Sequence, residues 1–204
     1  MSIKLYKGDL PADLDLGTEV AVDTETLGLN VWRDKLCLVQ LSAGDGNAVL
    51  VQLDRDTYDA PNLKKLLGDP GVLKIFHYAR FDMAAVKRWL GADVGPVWCT
   101  KIASKLVRTY TDRHGLKDLV REMLGIDMSK QQQSSDWGTP VLSDAQKQYA
   151  ASDVLYLHEL KMRLEQMLAR EGRAELAQAA FDFLPTRVAL DLAGFGEMDI
   201  FSHS

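Results

Sequence analysis

Glu19-Val20-Ala21-Val22-Asp23-Thr24-Glu25 is a short apolar run, β-branched in places, that ends on two carboxylates. Side chains two apart on a strand share a face, so a strand here presents Asp23 and Glu25 side by side. Leu36-Cys37-Leu38-Val39-Gln40-Leu41 and Ala48-Val49-Leu50-Val51-Gln52-Leu53 are two more such runs, set apart by Gly, Asn and Asp. Together the three predict an antiparallel meander. Pro61 to Leu67 reads as a short helix, Val72 to Phe76 as a strand, and Arg80 to Leu90 as a helix closed by Gly91. After Gly95-Pro96 the pattern turns helical, over Lys101 to Tyr110 and over Leu116 to Leu124 with Gly125 as the stop. Met128 to Pro140 is a polar loop rich in Gln and Ser. Ser143 with Gln146 makes a capping box, and good helix formers continue from there to about Arg170. Strands first and helices after predict an α/β fold, a mixed sheet flanked by helices.

Composition narrows the function classes. At 204 residues, one domain over residues 1–204 is the expectation, and 47% apolar with 26% charged residues is ordinary for a globular chain. Lys and Arg total 24 against 29 Asp and Glu, a net charge of −5, which opposes coating long nucleic acid through the overall field. If four of the acids face two divalent cations, the remainder is close to neutral. Cys37 and Cys99 are too few for a disulfide framework or a cysteine-rich metal site. The amino-terminal residues lack a signal-peptide pattern and no apolar run approaches membrane-spanning length, so a cytoplasmic protein with no membrane partner is expected. No Walker-type loop and no GxGxxG follow the first strand, which disfavours ordinary ATP or dinucleotide-cofactor sites.

The chemistry then rests on acids. Asp82 sits just inside the helix that follows a strand ending at His77, and Tyr149 and Asp153 stand four apart on the capped helix, on one face with Ala145, Tyr156 and Leu157. Each acid alone has a bland explanation: strand ends carry carboxylates often, and an acid near a helix start complements the dipole. A carboxylate on a half-buried face nevertheless needs a partner, and a metal is one.

In this order, Asp-x-Glu on a strand, His-x4-Asp at a strand-to-helix junction and Tyr-x3-Asp on a later helix, the motifs resemble the DEDD superfamily of 3′→5′ exonucleases. Tyr149 places the resemblance on the DEDDy branch, with ribonuclease D. It covers Val20 to Glu25, Gln40-Leu41, Phe76 to Asp82, His114 to Lys117, Ser135-Asp136-Trp137 and Tyr149 to Asp153. It implies an RNase H-like sheet and two divalent cations, Mg²⁺ or Mn²⁺, held by Asp23, Glu25, Asp82 and Asp153. Tyr149 would stand beside the attacking water, and nucleoside 5′-monophosphates would leave from the 3′ end. An ordinary tyrosine, with a pKa of about 10, is a poor base at neutral pH, so Tyr149 is expected chiefly to orient that water. Thr24, Thr26 and Leu27 beside the first motif, His77, and the basic trio Arg113, His114 and Lys117 are the expected substrate contacts. Leu27 would act as an apolar wedge between bases and the trio would meet the 5′ phosphate. Trp137 is expected to be structural, and Gln131 to Gln133 lie in the loop that faces the third motif in the family. One departure is Tyr78, where ribonuclease D relatives usually carry asparagine.

The compact length, His77-Tyr78-Ala79-Arg80-Phe81-Asp82, and the segments Phe183 to Arg187 and Asp199 to Ser204 resemble the nano-RNase C family. That resemblance implies a ring-shaped homo-octamer acting on RNA dinucleotides. With about fifty residues after Asp153, short RNA fits better than long RNA. Leu157, Leu160, Leu164, Met167 and Leu168 form an apolar helical stripe, ordinarily core, while Phe195, Met198, Ile200 and Phe201 suit docking on a neighbouring subunit, so residues 158–204 are assigned to oligomerisation. The rival readings are tRNA 3′ trimming, a 3′→5′ exonuclease on DNA ends, and an inactive RNA-binding module.

Overall fold

A computed structural model describes residues 2–203 apart from Lys130 and Gln133, so part of the Gln131 to Gln133 expectation lies outside the described residues. Six strands form one mixed sheet: β1 (Ile3–Lys7), β2 (Glu19–Thr26), β3 (Leu36–Ser42), β4 (Ala48–Gln52), β5 (Leu73–Phe76) and β6 (Val97–Cys99), in the order β1-β4-β3-β2-β5-β6. The pairs β2–β3 and β3–β4 are antiparallel, the meander expected of the three short apolar runs, and β1, β5 and β6 join in parallel. Two strands go beyond the sequence reading. β1 is a short edge strand, and β6 is only three residues long, wedged between Pro96 and the next helix.

The helices are α1 (Pro61–Gly68), α2 (Ala79–Ala85), α3 (Thr100–Val107), α4 (Leu116–Leu119), α5 (Asp144–Leu155), α6 (Leu157–Arg170) and α7 (Ala174–Leu190). α2 continues through a π-helical turn, Val86–Leu90, and α4 through another, Val120–Leu124. Each stops on a glycine in the left-handed region, Gly91 at φ 66° and Gly125 at φ 73°, a conformation that suits glycine because it lacks a Cβ. α3 ends at Val107, three residues short of the expected Tyr110. Arg108 turns inward there, donates to Ser104 Oγ (3.3 Å) and to the Arg113 carbonyl (2.8 Å), and pairs with Glu122.

The capping box is present: Ser143 Oγ accepts from the Gln146 N–H at 3.2 Å and Gln146 Oε1 from the Ser143 N–H at 3.0 Å. The helix it opens does not run unbroken to Arg170. It breaks at Tyr156 (φ −104°, ψ −3°), with no glycine or proline to mark the place. The reason is tertiary: α5 lies across β2, β3 and β4, whereas α6 packs on α3 and β5, and one straight rod cannot cover both.

β3 is buried at all seven positions. Under α5 lies a small cluster of Cys37, Leu38, Leu50, Trp137, Leu142 and Ala150, while the larger core gathers Val20, Val22, Leu41, Phe76, Met83 and Val154. Leu157, Leu160, Leu164 and Leu168 of the apolar stripe are buried in that larger core, each contributing roughly 2 kcal/mol. Phe195, Met198, Ile200 and Phe201 stay exposed. Among the described residues no helix is long and apolar enough to cross a membrane.

Candidate active site

Asp23 and Glu25 leave β2 on the face that α5 covers, and a register shift between Glu25 and Thr26 marks the end of regular pairing with β3. α5 brings Asp153 onto the same spot. One carboxylate oxygen from each of Asp23, Glu25 and Asp153 lies within 4.8 Å of the others. Asp82, buried in the first turn of α2, stands beside this trio and accepts a 2.6 Å hydrogen bond on Oδ1 from Thr24 Oγ1. In the β2–β3 register Asp23 faces Gln40, whose Nε2 donates to Asp23 Oδ2 at 3.2 Å.

The four acids strain one another electrostatically. Burial raises Asp23 to about 7. Burial, then the charges of Asp23, Asp153 and Asp82, raises Glu25 to about 10. Asp82 and Asp153 are pushed well above the usual carboxylate range by burial and by the charge of Asp23. Among the described residues no ion pair reaches any of the four. Buried carboxylates without a cationic partner are costly, and an all-oxygen set of this kind fits hard divalent cations.

Tyr149 lies one turn before Asp153 on α5. Burial and the charges of Asp153, Glu25 and Asp23 push its phenol well above the ordinary tyrosine value. Its ring packs 6.1 Å from that of buried Trp137.

The other expected contacts are placed as follows. Leu27 is 46% exposed, and its side chain crowds Gly138 of the polar loop so closely that a Cβ there would lie 2.8 Å from Leu27 Cδ2. Thr26 Oγ1 donates to the Gly28 carbonyl at 2.5 Å. His77 Nδ1 lies 2.8 Å from Thr100 Oγ1, and Thr100 gives its own proton to the Phe76 carbonyl (3.1 Å). That assigns the proton of the neutral imidazole to Nδ1 and leaves Nε2 as an acceptor. Burial, with Lys101 and His114 nearby, lowers the His77 pKa to about 3, so the ring is neutral. His114 Nδ1 lies 2.8 Å from Ser104 Oγ. Among the described residues no hydrogen bond or ion pair links Arg113, His114 or Lys117 to the carboxylates. Two contacts were not anticipated: the Gln40 amide on Asp23 and the Thr24 hydroxyl on Asp82. A glutamine inside an otherwise apolar strand is the sequence signal for the first.

Residues 9–169 match the family model described as a 3'-5' exonuclease. The chain belongs to the 3′-5′ exonuclease family. Ribonuclease D of Gluconacetobacter diazotrophicus is 36% identical over 156 residues, which are 76% of this chain and 39% of that protein. DNA polymerase I of Aquifex aeolicus is 37% identical over 168 residues, 82% of this chain and 26% of that one. The chain thus spans about two fifths of the length of the curated ribonuclease D relatives it matches. NrnC of Brucella melitensis matches end to end: solved with bound Mg²⁺ it is 55% identical with a TM-score of 0.95, and bound to pGG 56% identical with a TM-score of 0.96, each over 100% of both chains. The chain is therefore a nuclease of the ribonuclease D and NrnC type, a hydrolase built on the exonuclease sheet-and-helix fold.

Proposed function

We propose that this chain is a two-metal-ion 3′→5′ exoribonuclease that releases nucleoside 5′-monophosphates from short RNA, dinucleotides above all. The observation that carries this reading is the convergence of Asp23, Glu25 and Asp153 within 4.8 Å, with Asp82 beside them and, among the described residues, no ion pair to neutralise them. Asp23, Glu25, Asp82 and Asp153 would hold two divalent cations, Mg²⁺ or Mn²⁺. When bound, these ions would clamp an in-line displacement at phosphorus, favouring both the attacking and the departing oxygen.

The chain's own groups do the rest. Tyr149, its pKa raised, keeps its proton and orients the attacking water by hydrogen bonding. Leu27 stands out of the surface as a wedge for the last two bases. Thr24 and Thr26 hold the strand end on which the scissile phosphate sits, and His77 offers Nε2 to a ribose hydroxyl. Arg113, His114 and Lys117 meet the 5′ phosphate. The preference for short RNA is supported by the likeness to the NrnC that binds pGG and by the net charge of −5. A homo-oligomer, a ring-shaped octamer in which residues 158–204 meet neighbouring copies, is supported by exposed Phe195, Met198, Ile200 and Phe201. DNA 3′ ends are the second reading, favoured by the match to the Aquifex DNA polymerase I.

The test is the purified protein with Mg²⁺ or Mn²⁺ against RNA and DNA from dinucleotides to twenty-mers. Metal-dependent release of monophosphates, fastest on RNA dinucleotides, is expected. Equal rates on dinucleotides and twenty-mers would remove the length preference, and no release from any substrate would end the nuclease reading.

A further inference from the structure

Every side chain of β3 is buried, and the strand reads Leu-Cys-Leu-Val-Gln-Leu-Ser. Ser42, at its end, satisfies its hydroxyl on the Asn47 carbonyl at 2.7 Å. Gln40 does not fare as well. It has no solvent exposure, its Nε2 makes one 3.2 Å bond to Asp23, and its Oε1 has no partner among the described residues. A buried acceptor left unpaired destabilises a fold, and methionine or leucine would fill the same space without that penalty. An amide at this position is therefore poorly explained by packing.

We propose that Gln40 is a positioning residue: its amide fixes the orientation of the Asp23 carboxylate toward the bound cation. The proposal rests on the two-cation reading above. A donor is needed to hold the carboxylate on its rotamer, and a neutral donor is the suitable kind. Lysine or arginine opposite Asp23 would orient it equally well but would also cancel the charge that attracts a divalent ion. Asparagine, one methylene shorter, would not span the gap. The same logic recurs at Asp82, where the donor is the neutral hydroxyl of Thr24. Of the four acids, two are tethered by uncharged donors and none by a cation among the described residues.

The experiment compares wild type, Gln40→Met and a control, Gln52→Met. Gln52 is also an amide with an unpaired buried Oε1, on the neighbouring strand, but its Nε2 bonds the Thr139 carbonyl and touches no carboxylate. Mg²⁺ is titrated while the thermal midpoint is followed, without substrate, and kcat and KM are then measured on an RNA dinucleotide. For Gln40→Met we expect a metal-free midpoint at or above wild type, a Mg²⁺ concentration for half-maximal stabilisation raised about 10-fold or more, and a kcat lowered about 10-fold with KM little changed. Gln52→Met should leave the Mg²⁺ response where it was. Should methionine at position 40 not fold, Gln40→Leu takes its place. An unchanged Mg²⁺ midpoint and kcat in the Gln40 variant would overturn the proposal. If wild type binds Mg²⁺ but cleaves no dinucleotide, the substrate reading fails, and the Mg²⁺ midpoints still decide the role of Gln40.

Discussion

Two neighbouring strands bury polar groups in opposite ways. On β5, Lys74 has no solvent exposure, yet its ammonium donates to the carbonyls of Asp69 (2.7 Å), Val72 (2.6 Å) and Gly95 (2.5 Å), using every proton it has. On β2, Asp23 and Glu25 meet Asp153 with no cation among the described residues; burial holds all three above their ordinary pKa values, and for Glu25 and Asp153 the neighbouring charges add to it. A fully satisfied buried charge ties loops to a sheet. An unsatisfied set of like charges stores repulsion that a bound cation or added protons relieve, and that difference separates the structural polar group from the functional ones.

The largest effect should come from Asp153→Asn. It removes one charge from the cluster and one oxygen ligand, so the rate with Mg²⁺ should fall about 10³-fold. The metal-free protein should melt at the same temperature or higher, because repulsion drops. A steady-state assay paired with a metal-free melt reads both, and a variant that loses stability while keeping its rate would erase the distinction between the two strands.

Lys74→Met sharpens the comparison from the other side. It leaves the Val72 and Gly95 carbonyls without a donor and the Asp69 carbonyl with only the Val72 N–H (3.2 Å), and unpaired buried acceptors cost roughly 1–3 kcal/mol each, less whatever water recovers. A net loss of about 3 kcal/mol should lower Tm by roughly 6–12 °C in a chain of this size. Below that transition kcat should match wild type, since Lys74 touches none of the four acids.

Much of this contrast could be read in advance. The short apolar, β-branched runs set apart by Gly, Asn and Asp read as a meander because strand preference and turn residues are local signals, and the Ser143–Gln146 box is likewise local. Asp23, Glu25, Asp82, Tyr149 and Asp153 were singled out by order and spacing. What stayed hidden depends on contacts between distant elements. The break at Tyr156 comes from the different surfaces under α5 and α6, β6 is too short to leave a period, and Arg108 ends α3 by reaching Glu122 fourteen residues on. That Thr24 binds Asp82 could not be foreseen from a strand threonine, whose ordinary partner is its neighbour on the sheet.

The last effect concerns pH. Asp23 titrates near 7 in the fold against 3.8 as its reference, and Glu25 near 10 against 4.5. Raised pKa values mean that the folded chain holds more protons than the unfolded one between those limits. Their contribution is therefore complete below about pH 4 and is lost as pH climbs through 7 and beyond. Without metal, Tm should decline from pH 5 to pH 8 on their account. Added Mg²⁺ should reverse the decline, and its stabilising increment should be larger at pH 8 than at pH 5, because cation and proton compete for the same oxygens. Lys74 offers no such competition, as its partners are backbone carbonyls that do not titrate. Melting curves at both pH values with and without Mg²⁺ test this, and an increment independent of pH would mean that the ion binds somewhere other than these carboxylates.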